Sequence, residues 1–258
     1  MKTKAEWGFV CALQMEAATL VASARRRRCV TVGRIGKLVL CGMGAIRARQ
    51  AALLLADDGA DVLVSWGVAG ALDPALESGQ LLFPATVSAA GDVEYSVDPD
   101  LRALFLSTQT TVHSASDKAL FCAETAIVDR VGKQRLFARS GAAAVDLESA
   151  AVAAVAAERG LPFVAVRSVL DTAGTRLPAF VSSAVDPFGR VRWLNFCAAL
   201  LRHPGDLMAL LPLARQSHLA RDALASLARK LPALLAASDQ GSHLSVLAGS
   251  ESAAGDSR

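Results

Sequence analysis

Three carboxylates stand where side chains can do chemistry. Asp171 closes Phe-Val-Ala-Val-Arg-Ser-Val-Leu-Asp (163–171), a run so apolar that its terminal carboxyl should be partly desolvated and its proton affinity raised, which is how a general acid is made. Glu148 lies in Ala-Val-Asp-Leu-Glu-Ser (144–149), in the first turn of a predicted helix whose other residues are nearly all Ala and Val. A carboxylate there either serves the helix N-terminus or is aimed into a pocket. Glu16 follows the first apolar run within three residues of its end, where ligands of open α/β sheets tend to bind, although a charge at a helix start is equally ordinary.

Other chemistries lack their motifs. Gly42 and Gly44 sit between a strand and a helix, but a dinucleotide fingerprint needs Gly or Ala at 47, where the chain has Arg47. Gly33 to Leu38 has neither the spacing nor the hydroxyl residue of a Walker loop, and there is no HExxH or GxSxG. The histidines (His113, His203, His218, His243) are scattered, and the five cysteines form no CxxC. Neither a metal nor an organic cofactor is expected, so carboxylates must carry any reaction.

With 27 basic and 24 acidic residues, the formal charge of +3 is too small to make nucleic acid the presumed partner. No apolar run reaches the roughly 18 residues that span a bilayer. The opening shows no small-residue cleavage site, so a cytoplasmic protein is expected.

These acids need a frame, and 258 residues that are 53% apolar can build a sizeable core. Trp7 to Leu13, Cys29 to Val32 and Lys37 to Cys41 read as strands, the last two joined by a glycine-bearing loop of hairpin length. A helix is predicted over Ala45 to Asp57, then a strand over Asp61 to Trp66 and a turn at Gly67 to Gly70. A second strand, helix, strand unit follows: Ala142 to Val145, Leu147 to Arg159, and Phe163 to Val169 after the stop at Gly160-Leu161-Pro162. The pattern is α/β, one domain with a central mixed β-sheet flanked by helices, over residues 1–180. Leucines and alanines at helical spacing, punctuated by Pro204, Pro212 and Pro232, predict a C-terminal helical extension over 181–237. Residues 238–258, rich in Ser, Gly and Ala, read as a floppy tail.

In this order the motifs resemble the purine nucleoside phosphorylase and uridine phosphorylase superfamily, above all its branch of methylthioadenosine/S-adenosylhomocysteine nucleosidases. Ala-Leu-Gln-Met-Glu (Ala12 to Glu16) is similar to that branch's Ala-Met-Glu-x-Glu, Cys-Gly-Met-Gly (Cys41 to Gly44) to Ser-Gly-x-Gly, and Gly-Val-Ala-Gly (Gly67 to Gly70) to Gly-Ser-Ala-Gly. Val145 to Ser149 resembles Val-Glu-Met-Glu-Ala, and Val166 to Asp171 resembles Val-Arg-x-x-Ser-Asp, with Leu170 and Ser149 as departures. The boxes span most of residues 7 to 174.

The resemblance implies a role for each position. Asp171 protonates nitrogen 7 of a purine, Glu148 binds the ribose hydroxyls beside a cation-like sugar, and Glu16 orients the attacking water. Met43 and Leu147 line the sugar pocket, Val68, Ala69 and Gly70 its floor, and Ala126, Ile127 and Val128 face the base, with Arg167 among the substrate-binding positions. Glycosidic cleavage has independent need of one acid kept protonated and one carboxylate kept ionised. Superfamily phosphorylases hold phosphate with arginines, one in an Arg-x-Gly-Ser loop; Ser65 and Val68 stand in the corresponding places, which favours water over phosphate. Arg34, Arg47 and Arg49 remain candidate anion ligands near the glycine turn.

Leu170 to Ala173, Leu177 to Phe180 and Arg202 to Leu207 are similar to the hopanoid-associated phosphorylases, which remove adenine from adenosylhopane. The resemblance therefore implies a lipid-tailed adenine nucleoside, with methylthioadenosine or S-adenosylhomocysteine as the same-chemistry alternative and a non-catalytic nucleoside or lipid binder as the alternative of another class. The C-terminal helices either roof a greasy channel, rest on a membrane, or complete a core or a homo-oligomer interface. Arg25 to Arg28 suit anionic headgroups or form a solvated turn.

Overall fold

A computed structural model describes residues 5–21, 29–91, 93–109, 117–176, 186–188 and 207–251. Among these, ten strands form one mixed sheet. Its first half holds β1 (Trp7–Cys11), β2 (Cys29–Val32), β3 (Gly36–Leu40), β4 (Val62–Ala71) and β5 (Leu81–Leu82); the second holds β6 (Thr86–Ala89), β7 (Val93–Ser96), β8 (Leu120–Cys122) and β9 (Ala144–Asp146), and β10 (Phe163–Val169) closes the order in sequence. The helices are α1 (Gln14–Leu20), α2 (Ala45–Asp57), α3 (Pro99–Leu106), α4 (Arg130–Ser140), α5 (Ser149–Arg159) and α6 (Leu207–Glu251).

β4 is the axis of the sheet. Its first residues pair in parallel with β1 on one edge, Trp7 opposite Val62, and with β10 on the other, Phe163 opposite Leu63 through Val169 opposite Ala69. At Gly70 and Ala71 it turns to β9, antiparallel, while Ala71 N still donates to Asp171 O at 2.8 Å. The predicted turn at Gly67 to Gly70 is therefore strand: its glycines and small residues serve close approach by other groups and do not reverse the chain. β2 and β3 form the predicted antiparallel hairpin, and α2 and β10 have the predicted bounds. The second unit slides slightly, with β9 at 144–146 and α5 beginning only at Ser149.

β1, β4 and β10 read as continuous apolar runs because helices cover both faces, and Phe9, Val64, Trp66 and Val166 are buried between them. Phe9 and Trp66 meet edge to face with ring centroids 6.2 Å apart. α5 lays Ala150, Val152, Ala153, Val155 and Ala156 on the sheet and stops at Gly160, whose φ of +63° suits a left-handed cap.

α6 is one element through Pro212 and Pro232, where breaks were expected. Ala220, Leu224, Leu227, Leu231 and Leu235 form its buried stripe, and it packs on α1 and β10. The burial of that stripe outweighs the backbone bond each proline removes. The helix is continuous to Glu251. Arg25 to Arg28 and most of the stretch from 177 to 206 lie outside the described residues.

Candidate active site

The C-terminal ends of β1, β4 and β10 come together, and each delivers a part of one site. β1 leads into α1, whose first turn reaches back on itself. Glu16 Oε2 accepts from the amides of Ala12 (3.0 Å) and Leu13 (2.7 Å), and Oε1 accepts from the amide of Val68 on β4 (2.9 Å). Burial pushes this carboxyl up, while the charge of Arg167 and the three amides pull it back. The carboxylate fits because residue 67 is glycine: a Cβ there would lie 2.4 Å from Glu16 Oε1.

Glu148 occupies the N-cap position of α5 but makes no side-chain cap bond. Its Oε1 accepts instead from the amide of Gly44, 104 residues earlier, at 2.7 Å. Gly44, with φ +105° and ψ 149°, presents that amide from a backbone region almost reserved for glycine. Of the two readings open to Glu148, the pocket is the one realised. Burial raises its proton affinity, and Asp146 and Glu16 raise it further.

Asp171 is separated from the end of β10 by Leu170, with its Oδ1 3.3 Å from the position a Cβ would take on Gly70. It is 3% exposed, and burial raises its proton affinity as the apolar strand suggests. Its partner is not foreshadowed by any local pattern. Lys133, on α4 and only 1% exposed, donates from Nζ to Asp171 Oδ2 and to the carbonyl of Thr172 (2.8 Å), pulling against the burial effect.

Glu16, Glu148 and Asp171 border one cavity of about 260 Å³, whose wall also includes Met43, Val68, Ala69, Gly70, Ala126, Ile127, Val128 and Leu147. Every expected position is present except Arg167. That side chain is buried behind the wall, donating from Nε and Nη2 to Asp146 Oδ2 (3.0 and 2.6 Å), from Nη1 to the Ser65 carbonyl (2.8 Å), and from Nη2 to the hydroxyls of Ser65 (2.6 Å) and Ser149 (2.8 Å). An arginine in a fully buried strand must satisfy its donors internally, so it clamps β4, β9, β10 and α5 together and is not a substrate ligand. Asp146, its counter-ion, does border the cavity and was not singled out from sequence.

The candidate anion ligands are committed elsewhere or remote. Arg49 pairs with Glu158 through two bonds of 2.8 Å, Arg47 donates to the Met43 carbonyl (3.0 Å), and Arg34 lies in the exposed turn between β2 and β3. No group of three or more metal-ligating side chains occurs among the described residues, and no helix among them is long and apolar enough to cross a membrane.

An apolar chamber with separated acids suits acid-assisted departure of a base from a sugar. The Phosphorylase superfamily matches residues 6–203 of the chain. Comparison with curated proteins gives no match. Among solved structures, S-adenosylhomocysteine nucleosidase from Streptococcus pyogenes in complex with 5-methylthiotubericidin is similar at 17% identity and a TM-score of 0.60, over 90% of this chain and 99% of that one. Futalosine hydrolase of Helicobacter pylori is similar at 15% identity and a TM-score of 0.60, over 89% of this chain and 100% of that one. The nucleosidase of Colwellia psychrerythraea in complex with adenine is similar at 19% identity and a TM-score of 0.56, over 66% of this chain and 84% of that one. These likenesses show a shared fold, and the family match establishes that the chain belongs to the phosphorylase superfamily and is an enzyme that cleaves an N-glycosidic bond.

Proposed function

We propose that the enzyme releases adenine from an adenine nucleoside in the cytoplasm. Asp171 gives its proton to nitrogen 7 of the purine, so the base leaves neutral as the ribosyl ring turns cationic. Glu148 holds the ribose hydroxyls and favours the positive sugar, and Glu16 orients the nucleophile. The observation that carries this reading is that Glu16, Glu148 and Asp171, buried and in different hydrogen-bond settings, border a single cavity whose other lining residues are apolar apart from Asp146, the counter-ion of Arg167. Burial raises the proton affinity of both Asp171 and Glu16; Asp171 is opposed by one ammonium and Glu16 by three amides and the charge of Arg167.

Water is the preferred nucleophile. Neither Arg47, which is bonded to the Met43 carbonyl, nor Arg49, which is paired with Glu158, borders the cavity to receive a phosphate. Adenosylhopane is the preferred substrate, on the resemblance carried by Leu170 to Ala173, Leu177 to Phe180 and Arg202 to Leu207. A cavity of about 260 Å³ suits base and sugar, with a bulky 5′ group left to run outward and to bring the enzyme to the inner membrane face. One observation favours the second reading, methylthioadenosine or S-adenosylhomocysteine: the buried stripe of α6 is spent on the core and gives a lipid no surface.

The test is adenine release from these three nucleosides, with and without phosphate, by wild type and Asp171→Asn. A positioned general acid is worth about a hundredfold to ten-thousandfold in rate, so the variant should fold and lose activity on that scale. Wild-type turnover by Asp171→Asn overturns the assignment, and tight adenine binding without cleavage of any of the three selects a non-catalytic binder.

A further inference from the structure

We infer that Lys133 is a positioning residue for the acid: it fixes one oxygen of Asp171, ties it to the segment that faces the base, and sets how readily the other oxygen gives up its proton. The inference rests on the proposed role of Asp171 and adds to it a residue outside the resemblance.

The first ground is geometric. Lysine is among the residues least often fully buried, and 1% exposure requires a partner. Lys133 has two on the same stretch of chain, Asp171 Oδ2 and the Thr172 carbonyl. With Oδ2 occupied by an ammonium, a proton carried by Asp171 belongs on Oδ1, the oxygen nearer to Gly70 (3.3 against 3.7 Å from the position a Cβ would take there) at the cavity wall. The carboxyl is thereby held in one rotamer with its acidic face toward the substrate space, and no search of side-chain angles precedes transfer.

The second ground is connectivity. Ala126, Ile127 and Val128 border the cavity, and Asp129 immediately caps α4 by accepting from the Gly132 amide at 2.8 Å. A Cβ on Gly132 would lie 2.9 Å from Ile127, so the segment and the first turn of the helix are in contact. Lys133 is the next residue. One turn of α4 therefore joins the base-facing wall to the acid, and a shift of either is transmitted to the other.

The third ground is electrostatic. When the O–H bond of Asp171 breaks and the N–H bond of the purine forms, the electron pair stays on the carboxylate. Lys133, in contact and shielded from water, stabilises that charge far more than it could in bulk solvent. Burial alone would make Asp171 a reluctant donor; the ammonium opposes it. Among the described residues, Lys133 from α4 is the charge that acts on Asp171, while Gly70 from β4, with the apolar Val145 of β9 beside it, presents no side chain to the carboxyl.

The experiment compares wild type, Lys133→Gln and Lys133→Arg with Asp171→Asn in parallel, recording kcat and KM for adenine release against pH and the circular dichroism of each. Gln keeps an amide donor without the charge. It is expected to fold, to lower kcat at least about tenfold but by less than removal of the acid, to leave KM within about twofold, and to move the alkaline limb of the rate profile to higher pH, because the carboxyl then keeps its proton longer. Arg keeps the charge and should hold the limb near the wild-type position. The inference is overturned if Gln leaves kcat and the alkaline limb unchanged, or if Arg shifts the limb as far as Gln does. Should Asp171→Asn retain full activity, the assignment of the acid itself fails, an outcome read separately from the lysine variants.

Discussion

Gly67 leaves no room for a side chain because Glu16 occupies the space: a methyl there would sit 2.4 Å from Oε1. Three amides hold that carboxylate, so it cannot swing aside without giving up bonds. Gly67→Ala should therefore cost about 1–3 kcal/mol of stability and depress kcat more than a loss of that size explains at assay temperature. Thermal unfolding beside steady-state kinetics checks this, and a variant with normal turnover would mean Glu16 has slack or no role.

Glu148 illustrates a stability cost at a working site. Its proton affinity is raised by burial and by Asp146 and Glu16, so the folded state prefers it neutral. A raised carboxyl supports folding at low pH and loses that support as pH climbs through its folded value. Glu148→Gln should match wild type in Tm near about pH 5 and exceed it near about pH 9, by roughly 2–4 °C for each kcal/mol relieved, while catalysis drops. Equal Tm differences at both pH values would refute the sign.

Arg167 should behave as a clamp. Arg167→Met strands the carboxylate of Asp146 among buried groups, and denaturant unfolding should show a loss of about 3–5 kcal/mol. Adding Asp146→Asn should return part of it, since the stranded charge then disappears. Additive losses would show that the two side chains act independently.

The sequence was legible wherever one local pattern decided the outcome. α2 is bounded by a glycine turn and an aspartate, and β10 by Pro162 and Asp171, and both have their expected limits. Gly67 to Gly70 misled because glycine marks turns and close approaches alike, and only the position of Glu16 reveals which applies. Glu16, Glu148 and Asp171 could be picked out as charges embedded in apolar surroundings. Lys133 could not: it sits in Arg-Val-Gly-Lys-Gln-Arg, among residues that read as a solvated helix, and its burial depends on where α4 lands relative to β10. Arg167 was visible as an oddity in an apolar strand, but its partners come from three other elements, which spacing along the chain does not disclose.

β4 carries the Val68 amide that grips Glu16 and, two residues later, Gly70 beside Asp171. At about 3.3 Å of rise per strand residue, these stations are spaced by roughly 7 Å of peptide backbone. The strand thus acts as a gauge block: the gap between the flank of Glu16 and the flank of Asp171, the proposed attacker's side and the proposed base's side, is set by covalent geometry.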